Sequence, residues 1–351
     1  MDRSVSAIVC RAVLVAAVVM SGSATGAVAG TATATASPGP TVAWEVVELG
    51  FGGEGAFSTA VAINDRGVVV GFSHTPEDAP VIYVRQRGRA VEIGRGEPSD
   101  INDRGVVAGT TESDGTVRAA IWRNGREQVL TGIPGDFHRA QALNDRGQVV
   151  GYHPDTSGYL RGFLWHRGQA RDLPPVEPTD VQTVPNDIDE DGTVVGYSCG
   201  DGRCRPARWR DGVGEYLPLP DGALAGEATA IDDGRTVGSA SFRDDAGDTT
   251  VPVQWDAGGH LRVLDVPGGG SAGATGIAGS FVSGWTLSPD GATGGAVVWR
   301  DGVAHALPTP GATDGARAED VDPRGRVVGM IEADLGGPID HLPRAVLWVR
   351  R

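Results

Sequence analysis

The pentapeptide INDRG occurs at residues 63–67 and again at 101–105, and the near copy LNDRG occupies 143–147. A motif that returns after about forty residues implies repeated structural units. The wider pattern is a glycine after a short apolar run, and it occurs seven times: Gly71, Gly109, Gly151, Gly196, Gly238, Gly284 and Gly329. The spacings of 38, 42, 45, 42, 46 and 45 residues match the length of a four-stranded propeller blade.

The third unit shows the parts of such a blade most clearly. Segments 140–143, 148–152, 161–165 and 169–173 are short, partly apolar and separated by turn sequences, and they predict four strands. In the first turn, Asn144 and Asp145 suit the early positions, and Gly147 suits the left-handed conformation of a bulged hairpin. The repeated pentapeptide therefore predicts a hairpin turn, and its recurrence argues against a catalytic role for one of its aspartates.

A tryptophan follows the glycine by 13 to 19 residues in six of the units. We expect these rings to pack between neighbouring blades; the alternative is an exposed aromatic stripe for sugar stacking. The six residues are Trp122, Trp165, Trp209, Trp255, Trp299 and Trp348, and Tyr83 takes the place in the first unit. Trp285 lies outside this position, at the predicted start of a loop in the sixth unit, and is a candidate ligand contact.

The two ends of the repeat region predict how the units are joined. The seventh unit ends after its third strand, at 344–351, and the segment 44–50 resembles the fourth strand of the first unit. We therefore predict an all-β fold: a single β-propeller of seven four-stranded blades, closed by the N-terminal strand. Six or eight blades are the alternatives, because the fifth and sixth units depart from the pattern. An open solenoid would instead need polar caps at both ends.

The units resemble the HAF family of extracellular repeats. Its strand pair A-x-x-I-N-x-x-G-x-V-V-G is well matched at 60–71 and 140–151. Its following H-A-F-L-W-like strand keeps the tryptophan but not the histidine in units two to seven. The resemblance covers roughly residues 44–351 and implies export and a propeller-like fold. It implies no particular activity.

The first 43 residues are predicted to serve targeting rather than the fold. Arg3 and Arg11 precede an apolar run of nine residues at 12–20 and give the N-terminus a positive charge. Downstream of the run, Ala27-Val28-Ala29 fits a signal-peptidase site. We predict a signal peptide at 1–29 and a flexible linker at 30–43. The alternative, a membrane anchor, is disfavoured because a spanning helix needs about 20 apolar residues. We expect a secreted, extracellular monomer with no stable membrane anchor after cleavage.

Charge and cysteine content narrow the partners. The net charge of −15 argues against nucleic acid. Cys199 and Cys204 are expected to form a disulfide in an exported chain, with two free thiols as the alternative. The segment 187–192, DIDEDG, resembles a calcium loop, but the repeat register assigns its acids to an ordinary hairpin turn. We therefore predict no metal and no cofactor.

The function expected from these features is binding. Antiparallel strands place the 1–2 and 3–4 turns at one end of the blades and the 2–3 and 4–1 connections at the other. The first group is Arg-rich and the second acidic, so we expect a tight positive face and a loop-rich acidic face. We predict a non-catalytic module for a glycan or an extracellular protein on the acidic face near the axis. Its candidate binding residues are Asp100, Asp187, Asp320 and Trp285.

The alternative is an enzyme. Some propellers cleave polysaccharides as hydrolases or lyases with paired carboxylates near the axis. Asp100, Asp187 and Asp320, placed where the 4–1 connections enter the first strands, are the candidates. Their convergence would favour this alternative, and scattered acids without a pocket would favour a binding module.

Overall fold

The computed structural model describes residues 44–52, 56–74, 79–244, 247–310, 312–333 and 342–351. The predicted signal peptide and linker lie outside these residues. So do several acids that were assigned to the longer connections: Glu77, Asp78, Asp245, Asp334 and Asp340. Within the described ranges, no helix has the length and hydropathy that crossing a bilayer requires.

The regular secondary structure of the described residues is β-strand, apart from one short 3-10 turn at Pro267–Gly269. The first half comprises β1 (Trp44–Glu48), β2 (Phe57–Ile63), β3 (Val69–His74), β4 (Val81–Gln86), β5 (Arg89–Arg95), β6 (Glu97–Ile101), β7 (Val107–Ser113), β8 (Thr116–Arg123), β9 (Arg126–Val129), β10 (Arg139–Leu143), β11 (Gln148–Pro154), β12 (Leu160–His166), β13 (Gln169–Asp172) and β14 (Asp180–Ile188). The second half comprises β15 (Val194–Gly200), β16 (Arg203–Arg210), β17 (Val213–Tyr216), β18 (Ala225–Asp232), β19 (Arg235–Asp244), β20 (Gly247–Trp255), β21 (Leu261–Val263), β22 (Ser271–Ala278), β23 (Phe281–Leu287), β24 (Gly294–Arg300), β25 (Val303–Ala306), β26 (Ala312–Val321), β27 (Val327–Ala333) and β28 (Leu342–Arg350).

These strands form seven four-stranded antiparallel sheets, and the prediction of a seven-bladed β-propeller is confirmed. Blades 1 to 6 each use four consecutive strands, beginning with β2, β6, β10, β14, β18 and β22. Blade 7 has the order β26-β27-β28-β1. Each first strand contacts the first strands of its two neighbours, and β26 contacts β2, so the first strands form a closed inner ring.

The N-terminal strand closes this ring, as the sequence predicts. β1 pairs antiparallel with β28, with Trp44 opposite Arg350 and Glu48 opposite Val346. Leu49 continues the contact by donating its N–H to the Ala345 carbonyl at 2.9 Å. Leu49 is 4% exposed and belongs to a core shared with blade 1. One segment therefore completes a sheet and joins two blades.

Because Leu49 joins blade 7 to blade 1, we expect Leu49→Ala to destabilise the protein. The change removes apolar contacts between blade 7 and blade 1, and we expect a loss of about 2–5 kcal/mol in the free energy of unfolding. Leu224→Ala is the matched control, because Leu224 is 45% exposed and the same change there should cost less than about 0.5 kcal/mol. Urea denaturation monitored by tryptophan fluorescence measures both. Equal losses would contradict the closure.

The cores lie between neighbouring blades, and the repeated tryptophans fill them. All six are at most 5% exposed, so the prediction that they pack between blades is confirmed. Five indole N–H groups donate to a carbonyl in the connection that enters the same blade; Trp255, for example, donates to Pro218 at 2.7 Å. Trp122 is the exception, because its buried Nε1 has no acceptor. The connection entering its blade is the single residue Gly96, which offers no loop carbonyl of this kind.

This difference predicts unequal costs for the same substitution. Trp255→Phe loses packing and a buried hydrogen bond, and leaves the Pro218 carbonyl unpaired. Trp122→Phe loses packing only and removes an unpaired donor. We expect Trp255→Phe to be more destabilising by about 1–2 kcal/mol. Denaturation midpoints of the two variants test this, and a larger loss for Trp122→Phe would show that the orphan N–H is not what separates the two positions.

Candidate functional site at the ring axis

The inner ring leaves one edge of each first strand without a partner strand, and side chains of the ring form hydrogen bonds to the backbone groups of that edge. Each first strand pairs with its own second strand and leaves its other edge facing the axis. The N–H and C=O groups of that edge need partners, because unpaired backbone groups inside a protein cost free energy. In this chain, three levels of side chains supply hydrogen bonds from one blade to the next.

The first level is formed by the asparagines of the repeated turn. Asn64 Oδ1 accepts the N–H groups of Arg66 and Val68, and its Nδ2 donates to the Asn102 carbonyl at 2.9 Å. Asn102 and Asn144 repeat this arrangement toward the next blade. Gly67 has a φ of 76°, which confirms the left-handed turn glycine. The motif therefore does more than form a hairpin, because its asparagine also links two blades.

The second level sits at a β-bulge in each first strand. Three bulge residues donate to a carbonyl of the next blade: Asn186 to Ala228 at 2.8 Å, Thr229 to Ala274 at 2.9 Å and Thr275 to Ala318 at 2.8 Å. The bulge turns these side chains toward the free edge of the neighbouring strand. Free carbonyls at the axis thus gain donors in the second half of the ring.

The third level consists of the axial aspartates, Asp100, Asp187 and Asp320. Each uses one oxygen to accept the N–H of the following residue and the other to accept an N–H of the next blade. Asp320 accepts from Val321 and Ile63, both at 2.8 Å, which links blade 7 to blade 1. The remaining bonds are Ile101 and Leu143 to Asp100, and Ile188 and Ile231 to Asp187, at 2.7–2.9 Å.

Three carboxylates with two oxygens each thereby serve six of the seven equivalent N–H groups. The equivalent positions in the other four blades are Ala62, Ala142, Ala230 and Gly276. The seventh N–H belongs to Ile277, and neither Gly276 nor Ala230 has a side chain that could accept it. The aspartates occupy blades 2, 4 and 7, so each serves its own blade and the next one.

The axial aspartates titrate abnormally. They lie deep in the ring, and part of each residue still faces the axis. Burial raises the pKa of Asp100 to about 6 and that of Asp320 to about 7. Burial and then the charge of Asp100 raise the pKa of Asp187 well above its usual value. The charge of Asp100 raises the pKa of both Asp187 and Asp320, and the charge of Asp320 also raises that of Asp187. The three carboxyl groups are therefore close enough to influence one another's ionisation.

Their position differs from the one expected from the sequence. Each is the penultimate residue of its first strand, next to the 1–2 turn rather than at the 4–1 connection. The prediction of a place at the 4–1 connection was wrong. Aligned on the repeated glycines, Asp100 corresponds to Ala142, the penultimate residue of the strand predicted at 140–143, which lies beside the 1–2 turn. The three acids influence one another's pKa, but all six of their oxygens accept backbone N–H groups and so join neighbouring blades.

The axial aspartates predict a loss of stability as the pH rises from about 4 to just above 7. Their pKa values in the folded protein exceed the unfolded value of about 4, so the stability they contribute is present at low pH and lost as pH rises through about 6–7. Burial of His138 lowers its pKa to about 4, so this residue contributes stability that rises with pH, by about 0.4 kcal/mol between pH 6.5 and 8.5. The contribution of Asp320 in that interval is therefore the difference between the natural chain and a variant that keeps His138 but lacks the carboxyl group. Asp320 alone should lower the free energy of unfolding by about 1 kcal/mol there.

Urea denaturation at the two pH values tests this, with Asp320→Asn as the diagnostic variant. The variant should be less stable at both pH values. The nitrogen of its side-chain amide would face one of the two backbone N–H groups that Asp320 accepts, and it could not accept that hydrogen bond. Its stability should nevertheless change less between pH 6.5 and 8.5 than that of the natural chain. Asp248→Asn is the control, since an exposed ion pair with Arg243 lowers the pKa of Asp248. An unchanged pH dependence in Asp320→Asn would contradict the assignment.

Trp285 lies at the other end of the inner ring. The sequence predicted Trp285 at the start of a loop, and this is wrong. Trp285 is the fifth residue of β23 and lies directly opposite Gly273 on β22. Its indole covers Gly273 so closely that a Cβ there would lie 2.7–2.8 Å from ring atoms. Other blades carry larger residues at this place of the first strand, including Glu97, Arg139, Glu227 and Arg317. Gly273 therefore leaves room for the indole to lean toward the axis.

A charged pair from blade 7 borders this ring. The Arg317 guanidinium lies 5.8 Å from the Trp285 ring centroid, and its Nε is 2.9 Å from Glu319 Oε1. Trp285 is half-buried, and both charged side chains are partly exposed. We call Trp285, Gly273, Arg317 and Glu319 the Trp285 platform. It combines an aromatic face with an oriented donor and acceptor on the loop side of the ring. Gly273, Arg317 and Glu319 were missed in the sequence, because their proximity depends on the bulged strand register.

The division into a positive and an acidic face is not observed near the axis. Burial raises the pKa of Asp65 on the turn face, and four carboxylates from other blades raise it further: Asp103, Asp232, Asp322 and Asp145. The loop side carries ion pairs such as Arg139–Glu97, 2.9 Å apart. Loop length also fails to separate the faces, because the 2–3 connection of blade 2 contains only Asp114 and Gly115. Counting charges per turn could not show which ones point to the axis.

The remaining candidates have local structural roles. Cys199 and Cys204 form the predicted disulfide across β15 and β16, at a Cα–Cα distance of 4.1 Å. In the segment that resembles a calcium loop, Asp189 accepts the N–H of Gly234 and Asp191 that of Thr193. Among the described residues, no group of three or more His, Cys, Asp or Glu side chains is arranged to hold a metal ion.

Comparison with known proteins adds fold likeness alone. No protein-family model matches the chain, and no curated protein does. Among solved structures, a streptogramin B lyase is 14% identical, with a TM-score of 0.52 over 88% of this chain and 98% of that one. A Pyrococcus horikoshii acylaminoacyl peptidase is 13% identical, with a TM-score of 0.58 over 84% of this chain and 52% of that one. The chain thus matches about half of the peptidase.

Proposed function

We propose that this protein is a non-catalytic binding module that recognises a glycan on the loop side of the ring. The observation that carries the proposal is the Trp285 platform. An indole over Gly273 presents an apolar face, on which the C–H face of a sugar ring can stack. Arg317 and Glu319 stand beside it as donor and acceptor for sugar hydroxyl groups. Together they supply the two kinds of contact that carbohydrate recognition needs.

The rigidity of the surrounding ring supports this role. Trp285 and Arg317 lie on strands of adjacent blades rather than on long loops. Thr275 joins these blades through its hydrogen bond to Ala318 at 2.8 Å. A ligand that contacts both blades would find its partners in place, which reduces the entropy lost on binding. An extracellular protein is the other ligand class, and it would use a wider area of the same side.

The axial aspartates favour binding over catalysis. An acid–base pair in a glycosidase needs carboxyl groups that can exchange protons with the substrate. Here every carboxyl oxygen of the trio already accepts a backbone N–H, and loss of either oxygen would leave an N–H of the ring unpaired. The turn face has a cleft of about 300 Å³ between blades 5 and 6 and another of about 320 Å³ between blades 3 and 4. None of the three axial aspartates lines either cleft. A hydrolase or lyase remains the alternative function.

We also propose that the protein is exported and that its repeats are of the HAF type. The Cys199–Cys204 disulfide suits an oxidising compartment, and the apolar run at 12–20 suits a signal peptide. The seven blades agree with seven repeated units that resemble that family. We propose a secreted monomer that binds neither nucleic acid nor membrane. Its net charge of −15 supports the first exclusion.

A glycan array followed by calorimetry with the best ligand tests the proposal. Trp285→Ala should weaken that binding about five- to tenfold, because aromatic contacts of this kind contribute on the order of 0.5–1.5 kcal/mol beyond the apolar area they bury. Trp285→Phe should retain part of it, since a smaller ring still stacks. A blank array, or equal affinity of the Trp285→Ala variant, would contradict the proposal. Release of reducing or unsaturated ends from a polysaccharide would favour the enzyme instead.

Arg317→Ala and Arg300→Ala form a matched pair of controls. Both arginines lie over an aromatic ring, Arg317 over Trp285 at 5.8 Å and Arg300 over Phe281 at 5.7 Å. Arg300 precedes the 3–4 turn of blade 6, on the opposite face. Loss of glycan affinity in Arg317→Ala but not in Arg300→Ala would assign the effect to the platform. Equal effects would point to general electrostatics.

A further inference from the structure

A cleft of about 300 Å³ opens on the turn face between blades 5 and 6. Its blade 5 wall comes from Arg235, Gln254 and Arg262, and its blade 6 wall from two turns that contain Ser280 and Gly302. This volume is at the lower end of small-molecule sites and suits a ligand of monosaccharide size. The cleft lies on the opposite side of the ring from the Trp285 platform.

Both arginines in the cleft are oriented by neighbours. Arg235 donates to the Gly279 carbonyl and, at 2.7 Å, to Asp232. Arg262 donates through Nη2 to Gln254 Oε1 at 2.6 Å. Its guanidinium also lies against Gly302, where a Cβ would be only 2.9–3.0 Å away. Gly302 has a φ of 86°, so the close approach and the turn both require glycine.

Arg262 has no carboxylate partner among the described residues. Arg235 is paired with Asp232, and the one acid in the lining, Asp301, lies beside Arg300 at 3.7 Å. The Nε and Nη1 donors of Arg262 are therefore left for solvent or a ligand. A guanidinium prefers a carboxylate, which it can bind through two parallel hydrogen bonds. The cleft thus holds an oriented cation without a counterion, in a protein whose net charge is −15.

The equivalent cleft between blades 3 and 4 shows that this charge is not a property of every blade junction. It has a similar volume of about 320 Å³. Gln148 stands in the place of Arg235, Leu164 in that of Gln254, and Arg171 in that of Arg262. Its lining contains three carboxylates, Asp172, Asp191 and Asp211. The same architecture therefore places three carboxylates around one arginine in one cleft, and an arginine without a carboxylate partner in the other.

We propose that the cleft between blades 5 and 6 is a second binding site, which takes a monosaccharide carboxylate of the uronic acid class. Arg262 binds the carboxylate, and Arg235 adds positive charge behind it. Gln254, Ser280 and the backbone of Gly302 meet the ring hydroxyl groups. The proposal does not depend on the Trp285 platform, because the two sites share no residue.

Calorimetry at about 0.15 M salt with galacturonate, glucose and inorganic phosphate tests the assignment. Galacturonate should bind at least five times more tightly than either other probe, because only it offers both a carboxylate and ring hydroxyl groups. Equal binding of glucose would overturn the role of Arg262. Equal binding of phosphate would overturn the sugar specificity. Absence of galacturonate binding would overturn the site.

Variants locate the binding and separate it from the proposed function. Arg262→Gln should weaken galacturonate binding at least tenfold, and Arg171→Gln, the equivalent change between blades 3 and 4, should leave it unchanged. Both residues are near the surface of outer strands, so neither change should prevent folding. Trp285→Ala should also leave galacturonate binding unchanged. Loss of galacturonate binding in either Arg171→Gln or Trp285→Ala would place it elsewhere.

Discussion

The free inner edge of seven sheets is the constraint on which this structure depends. A ring of blades brings seven strand edges together at the axis, and the backbone groups of those edges need hydrogen-bond partners. Asparagines of the turns, bulge residues and axial aspartates meet this need from one blade to the next. The same side chains that satisfy the edges therefore hold the blades together. Stability and ring closure rest on one set of hydrogen bonds.

This arrangement explains which residues are free for function. A repeated residue at the axis, such as the turn asparagine or an axial aspartate, is engaged with the next blade. Positions where one blade departs from its neighbours are free to bind. Gly273 makes room for an indole, and Arg262 lacks the acids that surround Arg171 in the equivalent cleft. In a repeat protein, the exceptions to the repeat are the better candidates for recognition.

The sequence was sufficient for the architecture because a blade is a local structure. Turn glycines, spaced tryptophans and the missing strand of the last unit predicted seven blades and the closing strand β1, and the close spacing of Cys199 and Cys204 predicted the disulfide. It was insufficient for the site, because the bulge in each first strand changes which side chains face the next blade. Asp100 was assigned to the wrong end of its strand, although its alignment with Ala142 places it beside the 1–2 turn. Arg317 was missed because its neighbour Trp285 belongs to another blade.

The pairing of β1 with β28 has a consequence for how the molecule folds. Val46 lies opposite Trp348, a partner 302 positions later in the chain. Six blades can form from neighbouring segments, but the seventh must wait until β28 has been synthesised. Until then, the ring is a partial arc with an unpaired strand at one end. Such an intermediate is prone to aggregate, and it is the state that a chaperone would need to protect.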